Sequence, residues 1–214
     1  MSQTKVAVGM INATGTPGSG NFLRGDGTWN AAGGLKMISN TDISSAATYN
    51  FTGFTAASYE HYQFHLQNLI PATDNVHFLC RTSTDGGSSY DAGGSDYDWV
   101  QASLGSWTTT MYKDVDTSDS AIDLTGDDAD TNRTIGSDTN ESGISGIINL
   151  FGPHTTSYTH VMAHLIGVNA ANTTMGGFCV GVRLSAADVD GFQLLFASGN
   201  IESGTVTAYG LANA

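Results

Sequence analysis

The chain is predicted to be an all-β protein, an antiparallel β-sandwich or jelly-roll-like knob preceded by an extended N-terminal arm. Three observations carry this reading. Gly is abundant at 27 of 214 residues, while charged residues reach only 13%. Thr, Ser, Asn and Asp fill the polar positions, and none of them is a strong helix former. Short apolar stretches with period-2 alternation recur between turn signals, a pattern of many short strands joined by tight turns.

The arm comes first. Residues 1–34 are rich in Gly, Ala, Thr and Asn, carry Pro17, and lack a sustained period of either 2 or 3.6. Alone they bury too little apolar surface to offset the entropy of ordering them. Phe22, Leu23 and Trp29 are large apolar residues in this arm, and they need a surface to rest on. They are the candidate subunit-docking or virion-docking residues.

The head, residues 35–214, opens its clearest strand at Tyr59–Leu69. Tyr62, Phe64 and Leu66 share one face there, with His61, Gln63, His65 and Gln67 on the other. Residues 71–75 read as a turn. Val76, Phe78 and Cys80 form the inward side of the next strand, opposed by His77 and Arg81, and Asp85-Gly86-Gly87 reads as a hairpin-type turn. Tyr97–Leu104 and Ala121–Leu124 are weaker strand candidates, and Asp114–Glu141 reads mostly as loop. Strands resume at Ile144–Phe151, Tyr158–Val168, Phe178–Leu184, Phe192–Ala197 and Val206–Leu211, with Phe178, Val180, Val182 and Leu184 alternating cleanly. Nine or ten mostly antiparallel strands suit a two-sheet domain.

The formal net charge of −13 repels phosphate backbones and anionic headgroups, so nucleic acid and membranes are poor partners. The N-terminal residues lack a long apolar run, which predicts neither a signal peptide nor a transmembrane helix, and assembly in a host cytoplasm. Cys80 and Cys179 sit in apolar runs and read as small buried hydrophobes, with a disulfide between them left open.

The segment from Thr14 to Trp29, TGTPGSGNFLRGDGTW, resembles the junction of tail fibre and other appendage proteins of tailed bacteriophages. Tyr59–Leu69, Arg81–Tyr90 and Ser198–Leu211 are similar to the sheet regions of the same kind of protein. The resemblance implies a homotrimeric structural protein of the virion, not an enzyme, with no cofactor. Residues 1–34 would contact other virion proteins, and the head would contact host-surface polysaccharide. A head fibre or capsid decoration protein is an alternative position; a carbohydrate-binding module or glycan depolymerase is the alternative from another class.

Other constellations carry less. Arg24-Gly25-Asp26 spells an integrin-binding tripeptide but fits better as the turn of the junction. His61/His65 and His160/His164 have a zinc-like spacing, yet on strands such pairs lie about 13 Å apart, too far for one ion. Only a histidine ring shared by three subunits would rescue a metal there. Thr125–Asn132 offers oxygen donors at Asp128, Asp130 and Asn132, but Arg133 stands where a calcium loop needs Gly and Thr139 where it needs Glu. Gly143–Ile147 is not a nucleophile elbow, and Gly15–Gly20 is not a phosphate loop. Tyr90, Tyr97, Trp99 and Trp107, interleaved with Asp, Ser and Gly, are the candidate glycan contacts, since flat rings stack on sugars. The competing reading has them closing one end of the sandwich.

Overall fold

The computed structural model describes residues 14, 21–25, 27–31, 34–126, 131–138 and 140–212. The chain divides into two compact units between Gly34 and Leu35.

In the first unit, β1 (Asn21–Leu23) and β2 (Trp29–Ala31) form a small antiparallel hairpin. Its turn closes through the Arg24 amide donating to the Thr28 carbonyl at 2.8 Å and the Gly27 amide donating to Arg24 at 3.0 Å. Gly27 takes φ +80°, which a side chain would oppose. Thr14 bridges to Thr28 in parallel, adding a third rung. Sequence periodicity missed this hairpin because three-residue strands are too short to show one. Asp26 lies outside the described residues.

The second unit contains twelve strands: β3 (Leu35–Ala46), β4 (Tyr49–Phe51), β5 (Tyr59–Pro71), β6 (Phe78–Ser83), β7 (Tyr97–Gly105), β8 (Tyr112–Asp119), β9 (Ile122–Asp123), β10 (Ile144–Phe151), β11 (His160–Val168), β12 (Thr174–Arg183), β13 (Gly191–Phe196) and β14 (Ile201–Ala212). They build two packed antiparallel sheets, a β-sandwich. The large sheet runs β3-β14-β5-β10-β11-β12-β7-β8, and the small one β4-β13-β6-β9. Four ladders join early strands to late ones: β3 with β14, β4 with β13, β5 with β10, and β6 with β9. The hairpins β7–β8 and β11–β12 add four further strands to the large sheet.

The core follows from the alternation. Tyr62, Phe64 and Leu66 point inward from β5, and Phe78 and Cys80 point inward from β6, all buried. Phe64 stacks on Phe192 of the opposite sheet at 4.6 Å between ring centroids, and Phe51 meets Phe64 edge-on at 5.2 Å. Each such ring contributes about 1.5–3 kcal/mol by leaving water. Arg183 is also buried, and its guanidinium is held by Asp91 at 2.7 Å and by the Ser185 carbonyl at 2.6 Å.

Two expectations are corrected. Residues 114–119, read as part of a loop, belong to β8 (Tyr112–Asp119). It lies at the outer edge of the large sheet, where Asp, Ser and Thr are tolerated because one side of the strand has no protein neighbour. Asp85-Gly86-Gly87 does turn, with φ +72° at Gly86 and +79° at Gly87. It does not close a hairpin, because β6 and β7 belong to different sheets. The polar strand β3 and the three-residue strand β4 were not singled out at all.

Candidate functional site

One face of the large sheet covers the core, and the other carries the most unusual chemistry in the molecule. Cross-strand register places its side chains in rows. Over the five central strands the rows read Leu211, His61, Phe151, His160, Val182; then Tyr209, Gln63, Asn149, Met162, Val180; then Thr207, His65, Ile147, His164, Phe178. None of these fifteen residues is Asp, Glu, Lys or Arg, on a chain of net charge −13.

Exposure sharpens the contrast. Fourteen large apolar residues are exposed among the described residues, and eleven of them lie on this face. They include Ile147, Phe178 and Val180 on the central strands, Val100 and Val115 on β7 and β8, and Met37 on β3, the last 64% exposed. An uncharged surface with so many exposed apolar side chains, on so acidic a chain, is the candidate interaction site.

Several of its polar members bond one another. Gln63 donates its amide to Asn149 Oδ1 at 2.9 Å, and His61 Nε2 hydrogen-bonds the same oxygen at 3.0 Å. The His61 ring stacks on Phe151 at 4.4 Å, and His65 leans on Tyr209 at 4.7 Å. His61 and His160 flank β10, about 10 Å apart at ordinary strand spacing, and His65 and His164 are related in the same way. Among the described residues no group of three His, Cys, Asp or Glu could hold a metal.

An open, almost wholly apolar depression of about 330 Å³ indents this face at β7, β8 and β12, lined by Val100, Val115, Val180, Val182 and His160. Asp98 stands at its edge, and its Oδ1 is buried without a hydrogen-bond partner.

The four proposed glycan-contact aromatics do not form one surface. Tyr97 is fully buried; its hydroxyl accepts from the Thr82 amide at 2.8 Å and donates to the Asp91 carbonyl at 3.1 Å. Burial pushes its pKa up to about 12. Trp99 is 3% exposed, and its indole donates to Asp119 at 2.9 Å. Neither ring has a free face to offer a sugar, which corrects that assignment for both. Tyr90 and Trp107 are half-buried, and Trp107 leans on Tyr112 at 6.1 Å.

In the first unit, Leu23 and Trp29 are direct cross-strand partners, Leu23 exposed and Trp29 half-buried. Phe22 pairs with Asn30 in the backbone register. Asp128, Asp130 and Thr139 of the calcium-like pattern lie outside the described residues. Cys80 and Cys179 are free and buried, and desolvation holds both thiols well above their ordinary range.

The outer face was missed in the sequence, although a signal existed. Ile144–Phe151 runs Ile-Ser-Gly-Ile-Ile-Asn-Leu-Phe, with apolar residues at adjacent positions, so both sides of the strand are apolar. No family model matches the chain, and no curated protein or solved structure shows significant similarity to it. Among the described residues no helix is long and apolar enough to cross a membrane.

Proposed function

We propose that the chain is a non-enzymatic structural protein of a tailed-phage virion, a fibre- or spike-type appendage. In this reading its sandwich assembles as a homotrimer, and residues 1–34 dock into the particle. The observation that carries it is the outer face of the large sheet, rich in exposed apolar side chains and free of charged residues across the fifteen positions of its five central strands. Copies of so acidic a chain repel one another at most approaches. They can pack closely only where the acids are missing and apolar surface is gained.

The head is read as a jelly roll with two inserted hairpins. The four ladders support this: they describe one long antiparallel ribbon, β3-β4-β5-β6 against β9-β10-β13-β14, rolled into a sandwich. The hairpins β7–β8 and β11–β12 then widen one sheet into the assembly face. The junction-like sequence supports the virion reading, with Leu23 and Trp29 as a paired apolar patch for docking. Contact with host polysaccharide, if the head makes it, would fall to Tyr90 and Trp107 and their loops, since Tyr97 and Trp99 are core residues.

The test is location. Antibody raised against the head domain, applied to purified particles of the phage that encodes the chain, is expected to label an appendage in electron micrographs. Absence of the chain from washed particles would contradict the virion assignment.

A further inference from the structure

The outer face is not uniform from one edge to the other. At the β3 edge stand the exposed Leu35 and Met37, with Leu211 beside them on β14. At the opposite edge lies the apolar depression between Val100, Val115 and Val180. We propose that copies of this chain pack head-to-tail through these two features, the Met37 edge of one subunit filling the Val100–Val115 depression of the next. This rests on the trimer reading above and assigns the surface through which it forms.

Two observations favour a second copy of the chain as the occupant. First, the two features lie at one level of the sheet. Met37 pairs with Tyr209, and register leads from there through Gln63, Asn149, Met162 and Val180 to Val100 and Val115. Rotation about an axis parallel to the strands keeps residues at their level, so a three-fold axis in that direction brings Met37 to Val115 of the neighbour.

Second, the two edge strands carry opposite charges on this face, beside the Asp98 and Asp116 that also line the depression. Asp42 lies on β3, opposite Thr205 in the register, and Lys113 lies on β8, opposite Ala102, one two-residue step from the level of Asp42. Both are exposed, and head-to-tail contact brings them near each other, whereas two-fold contact would bring like to like.

A head-to-tail contact between unlike patches closes into a ring when its rotation divides the circle, and three copies satisfy that.

Cross-linking tests the geometry on the full chain. Cys80 and Cys179 are buried, so thiols introduced by Met37→Cys and Val115→Cys are the accessible ones for a short bis-maleimide. The chain carrying both substitutions is expected to cross-link into species ending at three chains, while each single substitution yields only monomer on a denaturing gel. Dimers from Met37→Cys alone would overturn the head-to-tail arrangement. A trimeric mass before treatment, with no cross-links in the double variant, would remove this surface and leave the trimer reading standing. A monomeric mass before treatment would remove both.

Discussion

The indole of Trp99 donates to the Asp119 carboxylate at 2.9 Å, tying the inward side of β7 to the end of β8. Trp99 is therefore a structural pin of the large sheet. Trp99→Phe keeps most of the buried ring and deletes the donor, leaving a carboxylate without it. The expected cost is about 1–3 kcal/mol in the urea midpoint. Any oligosaccharide binding by the native chain should survive this change; loss of binding with stability unchanged would return Trp99 to a ligand site.

Arg183 and Asp91 make the second pin. Arg183 Nε donates to Asp91 Oδ2 at 2.8 Å, and its Nη2 approaches the same oxygen at 2.7 Å. Asp91→Ala leaves a buried guanidinium with only the Ser185 carbonyl, and about 3 kcal/mol of stability should be lost. Replacing Arg183 by Met removes the charge as well and should cost less. Chemical denaturation of the two variants orders them, and the reverse order would contradict a buried pair.

Two glycines separate backbone strain from steric overlap. Gly86 has φ +72° with open space around it, so Gly86→Ala should cost about 1 kcal/mol. Gly143 has φ +62°, and a Cβ there would run into the Leu69 carbonyl of β5. Gly143→Ala should cost more than about 2 kcal/mol, since strand β5 must also move. Thermal melts of the two variants check this, and equal losses would argue against close approach of the strands.

The Asp85 turn has a defined acid limit. Its carboxylate accepts from the Ser89 hydroxyl at 2.6 Å, the Ser89 amide at 2.9 Å and the Ser83 hydroxyl at 2.8 Å. These bonds, the Ser89 hydroxyl foremost, lower its pKa to about 2. A depressed pKa in the folded chain means that the carboxylate favours folding above the ordinary carboxylate range, and that this contribution fades as pH falls towards 2. The protection of the Ser89 amide from exchange, relative to its intrinsic rate at each pH, should persist at pH 4 and fall near pH 2. In Asp85→Asn the dependence should vanish.

Much of this architecture could be read in advance, and the exceptions share a cause. Tyr62, Phe64 and Leu66 face the core as their alternation indicated, because their opposite neighbours are His and Gln. Phe178, Val180 and Val182 alternate equally well, yet they face outward. Period 2 identifies a strand without saying which side is inside. Here Gly177, Cys179 and Gly181 take the inward positions because the interior is crowded: a Cβ on Gly181 would lie 2.8 Å from Ile122. Strands β3 and β8 are edges, where polar residues cost little, so composition hid them. The long-range ladders, such as β3 with β14, leave no local trace. The assembly face depends on all of these at once, and so it was visible only after folding.

Light scattering on the purified full-length chain tests the central claim most directly. The proposed trimer predicts a mass of three chains for the native protein. It predicts a mass of one chain for Phe178→Asp, which sets a charge in the middle of that face, with the β-sheet circular dichroism unchanged. A native chain that runs as a monomer, or a Phe178→Asp chain that stays trimeric, would contradict it.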